Sequence, residues 1–353
     1  MNFKKIVSLG LVGALSLSLA SCGSKPASNN DAATEDTSSK SDYSVAMITD
    51  TGGVNDQSFN QSAWEGLQEL RKDTGVAVNY VESKQAADFV TNLDRLADEG
   101  ATLLWGIGYA CADAILEAAN ANPDLSYAII DNAYPETPSN VTGVMFRAEE
   151  PSFMVGYVAG MTTESNKVGF VGGIQSELLD TFKYGYMAGV SYAAKERGVE
   201  IEVMSQWAES FSDAAKGKAI ANKMISDGCD VIYHAAGGSG TGAIEACKEA
   251  KVWAIGVDRD QAYLAPEYVL TSALKLVGKA VQEVSKNYID GKAIGGETLT
   301  YGLKEECVGI PEEHGNMKEG VYEATLKVGE DIIAGKITPP TTEDTYNSFV
   351  QGL

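Results

Sequence analysis

The sequence predicts an α/β fold of two lobes, each a parallel sheet covered by helices, facing one another across a cleft. Three observations carry that expectation. Short apolar runs alternate with segments of helical period; the alternation occurs twice, in stretches of similar length; and the ends of the runs are polar or glycine-rich in both. At 353 residues the chain is long enough to bury two cores.

In the first series, the runs at 44–48, 76–81, 102–107 and 125–130 read as strands, with helices at 58–72, 86–98 and 111–121 between them. A parallel neighbour needs a crossover long enough to hold a helix, so this alternation implies parallel strands with ligands beyond their carboxyl ends. The second series places strands at 167–171, 200–204, 230–234 and 252–257 around helices at 178–197, 212–226 and 241–250. A further strand at 269–272 is followed by a helix over 273–288, a hairpin around 298–308 and a last helix near 318–334. These pieces are surplus to two simple units, so the chain is expected to cross between lobes more than once, through a multi-strand hinge. The expected boundaries are 43–146 for the N-terminal lobe, completed by 273–302, and 147–272 for the C-terminal lobe, completed by 303–353.

Residues 1–21 have the layout of a secretory signal, with Lys4 and Lys5 ahead of an apolar run over 6–20 and then small residues. The run is too short to span a bilayer comfortably. Leu19-Ala20-Ser21-Cys22 fits the lipobox of bacterial lipoproteins, so cleavage should expose Cys22 for acylation. Residues 22–42, after that cysteine, are small and polar with no large apolar side chain; they cannot offset their own ordering by burial and read as a tether. The expected location is the extracytoplasmic face of the cell membrane, held by lipid alone.

Charge and composition narrow the function. Lys and Arg total 27 against 49 Asp and Glu, a net charge of -22, and such a field repels polyanions, so no nucleic-acid partner is expected. With only His234 and His314, multi-histidine metal sites lack raw material, and neither catalysis nor a cofactor is expected. Cys111, Cys229, Cys247 and Cys307 show no tight spacing that demands a disulfide and are expected as buried free thiols.

Candidate site residues lie where strands end. After the first strand, residues 49–62 form a long polar, glycine-bearing loop in which Asp50 can accept from ligand hydroxyls and Phe59 can offer a flat face. The same spacing also suits Asp56 or Ser58 as a helix cap with Phe59 in the core. Asp131-Asn132, Gly172-Gly173, the run 237–242 and Asp258-Arg259-Asp260-Gln261 close four other strands. The 237–242 run looks like a cradle of backbone donors, but lacks the Lys and Ser/Thr ending of a P-loop and the dinucleotide spacing, so it reads as a loop offering N–H groups to neutral hydroxyls. Lys275, just beyond the strand at 269–272, is one cation among carboxylates. Tyr184, Tyr186 and Tyr192 share one amphipathic helix and read as lobe packing.

Asp50-x-Gly52 through Asn55-Asp56-x-Ser58-Phe59-Asn60, Glu150-x-x-Phe153-x-x-Gly156-Tyr157-x-x-Gly160, Phe170-x-Gly172-Gly173, Ser210-Phe211-x-Asp213-x-x-Lys216-Gly217, Gly256-x-Asp258-x-Asp260-Gln261 and Thr271-Ser272-x-x-Lys275 resemble the basic membrane protein family. These are lipoproteins similar to the substrate-binding components of nucleoside ABC importers, and the match runs in order from Tyr43 to the C-terminus. The resemblance implies a type I periplasmic-binding-protein fold with two Rossmann-like lobes and a nucleoside, purine favoured, held between aromatic faces. It implies Phe59 on one side of the base and Phe211 on the other, with Trp207 as the alternative. Asp50 and Asn55 or Asp56 would contact the ligand from the first lobe, with Asp131 on the base edge. Asp258, Lys275 and the Gly237-Gly238 backbone would hold the ribose. The implied partners are an ABC permease and ATPase, with the protein itself a monomer. A nucleoside-sensing receptor lipoprotein, or a secreted nucleoside hydrolase using Asp50 and Asp56, are the competing readings.

Overall fold

The computed structural model describes residues 42–292 and 294–353; the signal segment, Cys22 and the tether up to residue 41 lie outside them. One sheet is built from β1 (Ser44–Ile48), β2 (Ala77–Val81), β3 (Leu103–Gly106), β4 (Ser126–Ile130), β5 (Val141–Phe146) and β11 (Glu297–Tyr301). Its order is β11-β5-β4-β3-β1-β2, and every pairing is parallel. The second sheet takes β6 (Lys167–Gly172), β7 (Glu202–Trp207), β8 (Val231–Ala235), β9 (Trp253–Asp258), β10 (Val269–Lys275) and β12 (Val308–Gly309). Its order is β12-β10-β9-β8-β6-β7, parallel except where β12 runs against β10. The two orders are the same doubly wound scheme, so β1 corresponds to β6, β3 to β8, β4 to β9 and β5 to β10.

The helices are α1 (Phe59–Thr74), α2 (Phe89–Asp98), α3 (Ala112–Ala121), α4 (Glu149–Thr162), α5 (Glu177–Arg197), α6 (Ala214–Ser226), α7 (Gly237–Ala250), α8 (Val277–Ile289), α9 (Val321–Ile333) and α10 (Glu343–Gly352). Successive strand residues point to opposite faces. On β1, Val45 and Met47 enter the core shared with α1 and α8, whereas Ala46 and Ile48 enter the one shared with α2 and α3. Both faces are therefore dry, which is why β1 reads as a continuous apolar run rather than an alternation. The second sheet repeats this, with Phe170 in the core under α4 and α5 and Val171 in the core under α6 and α7.

Several elements differ from the sequence expectation, each for a physical reason. No hairpin spans 298–308: β11 pairs parallel with β5 in the first sheet and β12 antiparallel with β10 in the second, so the chain passes between sheets there. It also passes between them after β5 and after β10. The 237–242 run is the first turn and a half of α7 instead of a loop. Its glycines serve close packing: a Cβ on Gly242 would sit 1.8 Å from the Ala214 carbonyl oxygen, and one on Gly217 equally near that of Ser239. One on Gly240 would meet the buried His234 ring. β10 runs on to Lys275, so α8 begins four residues later than its period suggests. Helix α4 had no amphipathic stripe to reveal it, because it is apolar and buried on nearly all sides. β5 was not expected because Thr142 and Gly143 break its apolar run, although the strand itself is continuous, and α10, a short amphipathic helix laid on α5, was not expected either.

Cys111, Cys229, Cys247 and Cys307 are buried free thiols, as expected. Tyr184 and Tyr186 are buried in α5, and Tyr192 packs against Phe153 and Tyr157, consistent with the packing role expected for that helix.

Candidate functional site

A cavity lies where the carboxyl ends of the two sheets face one another; its empty space, open mouth included, is about 770 Å³. Of the residues expected from sequence, Asp50, Asp56, Phe59 and Asp131 reach it from the first sheet and Phe211, Gly237, Asp258 and Lys275 from the second. Asn55 does not: it is exposed outside the cavity, and its neighbour Asp56 is the residue turned inward. Gly238 also falls outside the lining, one step further into α7.

The carboxylates divide into two kinds. Asp56 caps α1, its oxygens accepting from the backbone N–H groups of Ser58 at 2.9 Å, Asn60 at 2.8 Å and Gln61 at 3.1 Å. Its lone pairs are committed to the helix end. Asp50, Asp131 and Asp258 each commit one oxygen, and for the other no donor is found among the described residues. Asp50 Oδ1 accepts from Gly52 N at 2.7 Å and Asn60 Nδ2 at 2.8 Å. Asp131 Oδ2 pairs with Lys275 Nζ at 2.5 Å, both side chains only 3% exposed, while its Oδ1 is buried with no partner. Asp258 Oδ2 accepts from the Ser58 hydroxyl of the opposite lobe.

Asp131 and Asp258 end the corresponding strands β4 and β9, and both adopt left-handed backbone conformations, φ 63° and 65°. Such angles are uncommon outside glycine and tolerated best by Asp and Asn, so the same sharp turn presents an acid to the cavity from each lobe. Burial pushes the Asp50 and Asp258 carboxyls up to about 6, reinforced by neighbouring acids and opposed by hydrogen bonds and, at Asp258, by Lys275. Among the described residues no group of three or more His, Cys, Asp or Glu is placed to hold a metal ion.

The aromatic walls rest on glycines. Phe211 lies against Gly173, where a Cβ would fall 2.1 Å from its ring, and Phe59 lies beside Gly108 at the end of β3. Trp207, the alternative to Phe211, is instead packed over Gly172 and set edge-on to Phe170 at 5.8 Å, outside the cavity. Lys275 Nζ stands 4.8 Å from the centre of the Phe59 ring, a cation–π distance. Gly173→Ala should therefore displace Phe211 and lower ligand affinity by about tenfold or more, the worth of one stacking face, with little change in melting temperature. Unchanged affinity in calorimetry would show that Phe211 does not face the ligand.

Tyr109, Phe182 and Asn60 also line the cavity and were not anticipated. Tyr109 follows Gly108 at the end of β3, so the strand-end rule that found Asp50 and Asp258 would have found it. Phe182 lies in the second turn of α5, which corresponds to α1; the equivalence of the two lobes is the signal that points to it.

A family profile described as ABC transporter substrate-binding protein PnrA-like matches residues 43–343. The ABC transporter nucleoside-binding protein BmpA of Lactococcus lactis is 39% identical over 96% of this chain and 99% of its own. Basic membrane protein A of Borreliella burgdorferi is 38% identical over 87% and 90%. In structure, an ABC transporter system solute-binding protein from Aeropyrum pernix superposes with a TM-score of 0.78 at 28% identity, covering 88% of this chain and 96% of that one.

Proposed function

The chain belongs to the family of PnrA-like ABC transporter substrate-binding proteins, and from that premise we propose that it captures a nucleoside, purine favoured, between its two sheets and delivers it to an ABC importer. The observation that carries this reading is the pairing of two aromatic rings, one from each lobe, with the carboxylates of Asp50, Asp131 and Asp258, of which Asp131 keeps a buried oxygen without a partner among the described residues. A planar base gains apolar contact from the rings, and its ribose hydroxyls and N–H edge supply donors to those carboxylates. Acids outnumber the single Lys275 around the cavity, so a phosphate would be repelled where a neutral sugar is accepted. The BmpA relative, named as nucleoside-binding, supports the same ligand class.

Since the lining comes from both sheets, neither alone surrounds a base, and ligand should draw the lobes together. Small-angle scattering is expected to show contraction on adding the preferred nucleoside; an unchanged radius at saturation would count against closure. Release of free base in the same incubation would point to a hydrolase instead.

Leu19-Ala20-Ser21-Cys22 supports a lipid anchor at Cys22 on the extracytoplasmic face, where a tethered, monomeric binding protein meets its permease. Cys22→Ser should release the protein from membranes. Retention of that variant after a salt wash would show another attachment.

A further inference from the structure

Away from the cavity, a second set of bonds crosses the cleft. Gln57 precedes α1 in the first lobe and holds a left-handed backbone, φ 58°, which costs a side-chain-bearing residue free energy unless its surroundings impose it. The surroundings come from the opposite lobe. Tyr263 donates its hydroxyl to Gln57 Oε1 at 2.8 Å, and Gln261 Nε2 donates to the Gln57 carbonyl at 3.0 Å. Gln261 is fully buried and fixed from behind: its Oε1 accepts from Val257 N at 2.9 Å and lies 2.9 Å from His234 Nε2. Beside them Arg259 pairs with Glu65 of α1 at 3.1 Å and lies over the Tyr263 ring at 5.6 Å. None of Gln57, Glu65, Arg259, Gln261 and Tyr263 lines the cavity.

We propose that Gln57, Glu65, Arg259 and Tyr263 form a clasp that holds the cleft shut without touching the ligand, and so sets how long the ligand stays. The clasp rests on the nucleoside-capture reading for its purpose but not for its existence, because its bonds form between protein groups alone. Opening breaks all of them and frees Gln57 from its imposed conformation. The association rate, set by the open form, is left untouched, and the dissociation rate carries the whole effect.

The test uses Tyr263→Phe, Gln57→Ala and their combination, with spin labels on cysteines replacing the exposed Lys84 and Lys216. In ligand-free protein, the wild-type background should show a short-distance population that both single variants deplete several-fold. With a purine nucleoside, stopped-flow should give dissociation about three- to tenfold faster for each variant, association within twofold of wild type, and a double variant no worse than the larger single one, since both remove the same bond. Identical distance distributions in all forms, or no short-distance population at all, would overturn the clasp. A distance shift in protein that binds no nucleoside would retain the clasp and overturn the ligand instead, and binding with unchanged dissociation would do the reverse.

Discussion

Replacing Lys275 with Met should cost about 3–5 kcal/mol of folding stability at neutral pH, the usual penalty for removing one partner of a buried ion pair. The ammonium is buried beside Asp131 in the field of Asp258, it stands over three aromatic rings, and no other cation of the cavity lining replaces it when it is lost. Methionine keeps most of the volume, which separates the electrostatic loss from a packing loss. The pH dependence identifies the cause. Burial already raises the Asp258 carboxyl to about 6, and removing its cation raises it further. A carboxylate whose folded pKa is raised contributes stability in its protonated form and loses it as pH climbs through that value. The gap between variant and wild type in urea unfolding should therefore be small at pH 5 and full at pH 7.5. An equal gap at both would mean that the lysine acts by packing alone.

Asp258→Ala should weaken nucleoside binding by roughly ten- to a hundredfold, corresponding to about 1.5–3 kcal/mol for a charged acceptor removed from buried donors. The variant also leaves the Ser58 hydroxyl without its acceptor across the cleft. If Asp258 holds the ribose as proposed, affinity for the free base should fall much less, and the preference for nucleoside over base should collapse. Phe59→Ala should do the opposite, weakening both ligands while keeping the preference. Binding that uses the ionised acid should also decline as pH falls below about 6, as proton and ligand donors compete for the same oxygens. An unchanged nucleoside-to-base ratio in folded Asp258→Ala would assign that carboxylate to the lobe contact with Ser58 rather than to ribose.

How far the sequence disclosed all this varies with the kind of signal. Strands buried on both faces announce themselves as apolar runs, and helices with one wet face as a period, so β1, β3, β4, α1 and α5 were legible. Helix α4 was not, because burial all round erases the period. The hinge was misread at 298–308 because two short strands close in sequence look like a hairpin, and only the third dimension sends them to different sheets. Polar strand ends located Asp50, Asp131 and Asp258. Between Phe211 and Trp207 the sequence could not choose, since both lie at or just beyond the end of β7, and the choice rests on which ring each of Gly172 and Gly173 admits. The glycine run at 237–242 misled most. Glycine permits close approach of backbone to a ligand or of helix to helix, and here the neighbours are α6 and His234.

The most direct test is titration calorimetry of the folded region with a panel of purine and pyrimidine nucleosides, free bases and nucleoside monophosphates. One-to-one binding of at least one nucleoside, much weaker binding of its monophosphate, and loss of affinity in Phe59→Ala and Asp258→Ala are expected. Binding of the monophosphate as tightly as the nucleoside, or no nucleoside binding by protein that melts cooperatively, would contradict the account.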